Sequence, residues 1–192
     1  MQPTTTVRFE SFSDGVFAIA ITLLALALRV PFLHATGFSW HDLMPIVPSI
    51  LTFVLSFVAI AIFWVNHHQL TQTLTTLKRR RILWLNILFL LFLTLIPFVT
   101  QTLSANAPSA AATSMYAFVL FGASISFSLL RYWVHKSCGE VDIAMGRSII
   151  GPIVYFLAML APLISIRLGY VLLAIPLFFY FLPKASRSLS SL

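Results

Sequence analysis

Charged side chains and cysteine are scarce in this sequence. Only 9% of its 192 residues are Asp, Glu, Lys or Arg, whereas 59% are hydrophobic. Soluble globular domains carry roughly a quarter charged residues, so the composition excludes an ordinary soluble domain and indicates an integral membrane protein. The single cysteine, Cys138, excludes an intramolecular disulfide and a cysteine-based metal cluster. The net charge of +7 comes from basic residues in predicted loops, which does not indicate a nucleic-acid partner.

Motifs for catalysis and for familiar ion filters are also missing. The sequence has no glycine-rich phosphate loop, no Thr-Val-Gly-Tyr-Gly filter of ordinary potassium channels and no serine with a histidine at a suitable spacing. His67 and His68 are adjacent, and adjacent helical residues point about 100° apart, whereas paired metal ligands on a helix are favoured four residues apart. The sequence therefore predicts neither an enzyme nor a resident metal ion or cofactor.

Long apolar stretches fill most of the chain. A membrane-spanning helix needs about 20 mainly apolar residues, and six candidates follow one another in a single domain over residues 1–192. The predicted fold class is an all-α integral membrane protein with six transmembrane helices per subunit. Their expected bounds are about 8–31, 43–76, 79–100, 115–135, 148–166 and 168–183.

The connections between these helices add two expectations. Gln101–Ser114 is small, polar and uncharged, which is typical of a loop, and the helix before it is expected to bend or end near Pro97. Only Arg167–Gly169 separates the last two helices, which predicts a tight hairpin. No internal repeat is evident, so the paired halves of many transporters are not indicated. Symmetry around an ion path would come from several copies of the chain.

The basic residues predict the orientation in the membrane. With a cytoplasmic N-terminus, all twelve Lys and Arg residues except Arg29 and Arg167 lie on the cytoplasmic side. This agrees with the positive-inside rule, so we expect a multi-pass protein of the cell membrane with both termini in the cytoplasm. The run Lys78–Arg81 is most simply a topology anchor, and binding of anionic lipid there is the alternative.

The first helix begins with charged residues and continues as an apolar span. Asp14 lies at the mouth of this span, where a carboxylate is costly without partners. It either belongs to a polar network with Arg8 and Ser13 or caps the helix N-terminus, where an anion suits the helix dipole. Arg8 and Asp14 are six residues apart, about 120° around the helix. They cannot pair along their own helix, so a third group from another helix or subunit would have to bridge them.

Two stripes of side chains follow this first helix at three- and four-residue steps. The small residues are Ser11, Gly15, Ala18, Thr22 and Ala25, and the large apolar ones are Ile19, Leu23, Leu26 and Val30. In one interpretation both stripes only pack against other helices. In the other, several copies of the helix meet around an axis, and the large apolar stripe forms a constriction that gates by dewetting. Thr22 would then offer a hydroxyl just past the level of Ile19.

Two motifs give the sequence a family resemblance. Arg8, Phe12, Ser13 and Asp14 form an R-x-x-x-F-S-D motif, and a W-x-x-H motif about fifty residues later is formed by Trp64 and His67. With these motifs the chain resembles the endosomal/lysosomal potassium channel family (transmembrane protein 175), in its bacterial one-repeat branch. The resemblance implies a homotetramer of six-helix subunits in the bacterial inner membrane, with the pore lined by the first helix of each subunit.

The same resemblance implies roles for individual residues. Ile19 would form the pore constriction and gate, with Leu23 and Leu26 at further turns, and Thr22 corresponds to a position associated with potassium preference. The residues expected to support the pore helix through hydrogen bonds are Arg8, Ser13, Asp14, Trp64 and His67. Potassium and related monovalent cations would pass transiently, and membrane lipid would be the other partner.

The sequence thus favours a passive, potassium-preferring leak channel, with two alternatives. One is a proton-coupled or proton-conducting transporter that uses Asp14 and His67 as relays; saturable flux that requires a proton gradient would indicate it. The other is an intramembrane enzyme that uses histidines and a metal ion, which metal analysis of the purified protein would reveal.

Overall fold

The computed structural model describes residues 4–26, 28, 44, 46–74, 80–138 and 145–181, and this part of the chain is all-helical. Its six α-helices are α1 (Thr4–Leu26), α2 (Val47–Gln72), α3 (Arg80–Ala105), α4 (Ala110–Cys138), α5 (Met145–Leu160) and α6 (Ile166–Phe181). A short 3-10 turn, Ala161–Leu163, joins α5 to α6. The expected bounds at 31, 43, 76, 79 and 183 lie outside the described residues.

Four of these helices are long and apolar enough to cross a membrane. They comprise Thr6–Leu26 of α1 and the whole of α2, α3 and α4. Helices α5 and α6 have 16 residues each, about 24 Å of helix, which is less than the hydrocarbon thickness of about 30 Å. The prediction of an all-helical membrane protein is therefore confirmed, with the last two helices forming a shorter apolar pair.

The connection between α3 and α4 is much shorter than the composition predicts. The expectation of a loop over 101–114 is wrong, because α3 continues through Pro97 to Ala105 and α4 begins at Ala110. The Thr100 and Thr102 hydroxyls donate to carbonyls one turn earlier, so these polar side chains are satisfied within a helix. At the start of α4, the Ser109 side chain accepts from the Ala112 amide, as N-terminal capping residues do.

Helix α3 is the centre of the bundle and packs against α1, α2 and α4, while α5 and α6 pack mainly on α4 and on each other. Its inward side chains include the fully buried Phe89, Leu93 and Ile96. At Gly122 of α4, an added Cβ would overlap the ring of Phe92. A small residue is therefore required where α3 and α4 approach each other.

Three hydroxyls connect α2, α3 and α4 inside the bundle. The Ser56 hydroxyl lies 2.7 Å from Thr100 Oγ1 and 2.8 Å from the Tyr116 hydroxyl. All three residues are buried, and hydrogen bonds between membrane helices contribute about 0.6 kcal/mol each on average. This cluster fixes the three helices to one another on the side of the bundle away from the charged start of α1.

Candidate pore helix and its hydrogen-bond support

One side of α1 is buried against the bundle and the other has no partner in the described chain. Phe17, Ala20 and Leu24 are buried, and they follow one another at three- and four-residue steps. The opposite side carries Ile19, Leu23 and Leu26, with exposed fractions of 60%, 43% and 74%. As far as Leu26, the two predicted stripes of the first helix therefore lie together on a single exposed face. Val30, the last member of the large apolar stripe, lies outside the described residues.

The small residues of this face also have no packing partner among the described residues. Gly15, Ala18, Thr22 and Ala25 are all exposed. A Cβ added at Gly15 would meet no atom within 4 Å, so packing within this chain does not require a glycine there. The described residues therefore supply no close neighbour for this face at Gly15.

Thr22 lies on the exposed face of α1. Its hydroxyl donates to the Ile19 carbonyl at 2.9 Å. Because the hydroxyl hydrogen is used by the backbone, the oxygen lone pairs remain available as acceptors. A hydroxyl oxygen with available lone pairs can bind a cation.

A buried row of polar side chains holds α1 to α3 and α2. Ser13 Oγ donates to the Phe9 carbonyl at 3.0 Å and accepts from Asn86 Nδ2 at 3.0 Å. Asn86 Oδ1 lies 2.9 Å from His67 Nε2. Because the Asn86 amide nitrogen donates to Ser13, its oxygen accepts, and the hydrogen-bond network assigns the His67 proton to Nε2. The row Ser13–Asn86–His67 therefore links α1, α3 and α2 through buried side chains.

Aromatic rings enclose the histidine of this row. The His67 ring stacks on Phe9 and Phe89, with centroid distances of 6.1 and 5.9 Å, and Phe17 tilts against it at 5.5 Å. Phe9 and Phe17 belong to α1, whereas Phe89 belongs to α3. The imidazole therefore fixes α1 by packing as well as by the hydrogen bond to Asn86.

A second row, closer to the surface, joins α1 to α2. The Trp64 indole donates to Asp14 Oδ1 at 3.0 Å, and the Trp64 ring stacks on His68 with a centroid distance of 5.6 Å. Glu10 Oε1 lies 3.4 Å from His68 Nδ1 and accepts from the Thr71 hydroxyl at 3.4 Å. Both carboxylates of α1 are thus held by side chains of α2.

The structure brings together four of the five expected supporting residues, Ser13, Asp14, Trp64 and His67, although in two separate rows. Asp14 and His67 have no hydrogen bond to each other. Arg8 is exposed and has no hydrogen bond or ion pair within the described part of the chain. It lies about 20° from Gly15 around the helix, on the same exposed face as Ile19. No group of the described chain bridges Arg8 to Asp14.

Sequence reasoning missed Asn86, Glu10 and Thr71 as parts of this support. Asn86 had a usable signal, because it is the only amide in the apolar stretch 82–99, and polar groups at membrane depth have partners. Glu10 and Thr71 had no such sequence signal, because their contact depends on how α1 packs against α2. Among the described residues, no group of three His, Cys, Asp or Glu side chains is placed to hold a metal ion.

Comparison with known proteins identifies relatives over most of the chain. A sequence model of the family described as "Endosomal/lysosomal potassium channel TMEM175" matches residues 8–97. A potassium channel of Chryseobacterium sp. (strain P1-3) is 36% identical over 133 residues, covering 69% of this chain and 67% of that protein. A potassium channel of Chamaesiphon minutus (strain ATCC 27169 / PCC 6605) is 34% identical over 181 residues, covering 85% of this chain and 87% of that protein.

A solved structure is similar over nearly the whole chain. The crystal structure of a lysosomal potassium-selective channel TMEM175 homolog from Chamaesiphon minutus has a TM-score of 0.83 at 33% identity, and the match covers 93% of this chain and 97% of that one. The family-model match includes α1, α2 and both polar rows, and it confirms the family predicted from the R-x-x-x-F-S-D and W-x-x-H motifs. The chain belongs to the TMEM175 family, a family of ion channels and not of enzymes.

Proposed function

We propose that this protein is a potassium-preferring cation channel that conducts passively through a central pore lined by α1. The observation that carries the proposal is the exposed face of α1, which combines Ile19, Leu23 and Leu26 with Arg8 and Thr22 and has no partner in the described chain. Arg8 lies at the cytoplasmic end of this face, where an aqueous axis between copies of α1 would hydrate its guanidinium.

The proposed assembly is a homotetramer in which four copies of α1 surround the axis. Gly15 and Ala18 permit close approach of neighbouring helices, and neither is needed for packing inside one subunit. The two polar rows hold the start of α1 against α2 and α3, so the exposed face is presented by a fixed helix. Native mass spectrometry is expected to give four copies of the 21.5 kDa chain.

Within this pore, Ile19 forms the narrowest ring and Leu23 and Leu26 extend the apolar lining. A ring of apolar side chains gates by dewetting, because water and ions leave a narrow apolar segment. The Thr22 hydroxyl donates to the Ile19 carbonyl, so its oxygen offers lone pairs to a cation next to the constriction. Selectivity for potassium depends on how such oxygens replace the hydration shell of the ion.

The proposal also covers location and ligands. Both termini lie in the cytoplasm of a bacterial cell, with the protein in the inner membrane. Potassium and related monovalent cations pass transiently, and no cofactor takes part.

Replacement of Ile19 by Asn tests the proposal. The polar side chain hydrates the ring, so we expect a larger single-channel conductance and a smaller preference for potassium over sodium in planar bilayers. Leu91→Asn is the matched control, because Leu91 is exposed to a similar extent, 55%, on α3. Conductance and selectivity that are unchanged in Ile19→Asn would contradict the constriction.

The same bilayer preparation separates a channel from the proton-transporting alternative. A channel gives unitary current steps under a potassium gradient alone. A relay through Asp14 and His67 predicts saturable potassium flux that requires a proton gradient and is lost in Asp14→Asn. In the described chain these two side chains belong to different rows of hydrogen bonds, which supports the channel.

A further inference from the structure

A groove lies where α3 begins and α4 ends, on the bundle surface away from α1. It has a volume of about 590 Å³ and is lined by Arg80, Arg81, Trp84, Leu85, Leu88 and Trp133. The first five of these residues lie on the first turns of α3. Trp133 lies near the end of α4, which returns beside α3 after the short connection at 106–109.

Arg81, which lines the groove, and Lys136, three residues after Trp133 on α4, both lie near the Trp133 ring. The Arg81 guanidinium carbon lies 5.1 Å from the centre of the Trp133 ring, and Lys136 Nζ lies 5.1 Å from the same ring. Lys136 also donates to the Tyr132 hydroxyl at 3.4 Å. Both basic side chains are exposed. Exposed cations at this place favour an anionic ligand by their charge.

No carboxylate of the described residues forms an ion pair with Arg80, Arg81 or Lys136. The two described carboxylates, Glu10 and Asp14, are on α1 and bind side chains of α2. Indole rings beside the groove are typical of the membrane–water interface, and α3 begins its apolar span at Arg80. The basic mouth therefore lies at the level where lipid headgroups are found.

The wall of the groove is apolar and open to the side. Trp84 and Leu88 follow Arg80 and Arg81 along α3 toward the apolar part of the span, with exposed fractions of 59% and 41%. A free phosphate ion would use the basic mouth and leave this wall uncovered. A zwitterionic lipid would cover the wall but bring no net negative charge to the cations.

We propose that the groove between α3 and α4 binds an anionic phospholipid, with the headgroup phosphate on Arg80, Arg81 and Lys136 and an acyl chain along Trp84 and Leu88. Arginine and lysine are both phosphate-binding residues, and the planar guanidinium can bind two phosphate oxygens at once. The site is separate from the proposed pore, and the inference does not depend on conduction.

Lipid binding to the purified full-length chain tests this inference. Native mass spectrometry with phosphatidylglycerol and phosphatidylcholine measures the preference for the anionic headgroup. A basic residue near an anionic headgroup contributes roughly a fivefold change in binding, so we expect Arg81→Gln and Lys136→Gln each to lower the preference by about that factor. Arg167→Gln is the matched control, because Arg167 is equally an exposed arginine but lies at the start of α6, and it should keep the preference.

A second measurement places the acyl chain. Phosphatidylglycerol with brominated chains is expected to quench the tryptophan fluorescence of the protein more than brominated phosphatidylcholine does, and Trp84→Phe should remove most of this difference. Equal binding of the two lipids, or a preference that survives both Arg81→Gln and Lys136→Gln, would overturn the site. Displacement of the lipid by inorganic phosphate alone would overturn the choice of a lipid as ligand.

Discussion

At the scale of single residues, Asn86 is central to the position of α1. Its side chain donates to Ser13 on α1 and accepts from His67 on α2, and all three side chains are buried. Ser13 and His67 have exposed fractions of 0% and 1%. Helix α1 is thus held by an amide on α3.

Replacement of Asn86 by Leu is expected to lower the thermal stability of the protein in detergent. The substitution keeps the side-chain size but leaves the His67 Nε2–H unpaired in the core, and an unsatisfied buried polar group costs about 1–3 kcal/mol. Thr94→Leu on the same helix is the control, since the Thr94 hydroxyl is exposed and donates only to the Leu91 carbonyl. If both variants unfold at the wild-type temperature, the row does not hold α1.

Single residues also show which parts of the site could be predicted from the sequence. The R-x-x-x-F-S-D and W-x-x-H motifs identified Ser13, Asp14, Trp64 and His67, because a family resemblance attaches to local patterns. Such patterns do not state which helices face each other. The hydrogen bond from Trp64 to Asp14 and the place of Asn86 between two helices depend on tertiary packing, so they could only be read from the structure.

At the scale of helices, two glycines of the described chain have opposite surroundings. A Cβ at Gly122 would overlap the Phe92 ring, whereas a Cβ at Gly15 would meet nothing. Within one chain, Gly15→Ala should therefore be tolerated. Alanine in a helix interior is more stable than glycine by roughly 0.5–1 kcal/mol.

We expect Gly122→Ala to lower the unfolding temperature and Gly15→Ala to leave it unchanged or raise it. If four copies of α1 meet at an axis, Gly15→Ala should still reduce the potassium current or the fraction of tetramer, because the added methyl group lies on the face shared with other copies. Thermal unfolding and bilayer recording of the same preparations distinguish the two effects. Wild-type current and assembly in Gly15→Ala would count against close approach at this position.

Helix ends were harder to predict than helices. The stretch after Pro97 has the composition of a loop, but its threonines donate to carbonyls of their own helix and α3 reaches Ala105. A proline inside a membrane helix is tolerated where neighbouring helices and hydroxyls satisfy the freed backbone groups. Composition alone cannot tell a hydroxyl that bonds within a helix from one that faces water.

At the scale of the whole molecule, the helices differ in how they pack into the bundle. Helices α2, α3 and α4 share the buried hydroxyl cluster and α3 forms the centre, while α1 joins them through one side only. The family and the all-helical membrane fold could both be predicted from the sequence, because hydropathy and local motifs carry them. Hydropathy does not predict whether the chain forms an oligomer, since an exposed apolar face on a membrane helix suits lipid as well as a second subunit.

The orientation of the bundle rests on the distribution of its basic residues, and cysteine labelling tests it. Asn106 follows α3 and Lys136 lies near the far end of α4, and both are exposed. Helix α4 has 29 residues, about 44 Å, so its two ends lie on opposite sides of a hydrocarbon core of about 30 Å. In a Cys138→Ser background, a membrane-impermeant maleimide should label Asn106→Cys in intact cells and Lys136→Cys only after permeabilisation.

Each outcome of this labelling has a distinct meaning. The expected pattern follows because lysine and arginine are retained on the cytoplasmic side during insertion. The reverse pattern would place the termini outside and contradict the charge argument. The length and apolar composition of α4 predict that it spans the membrane. Labelling of both positions in intact cells would contradict this prediction. One pair of variants therefore tests separately the orientation of the chain and whether α4 spans the membrane.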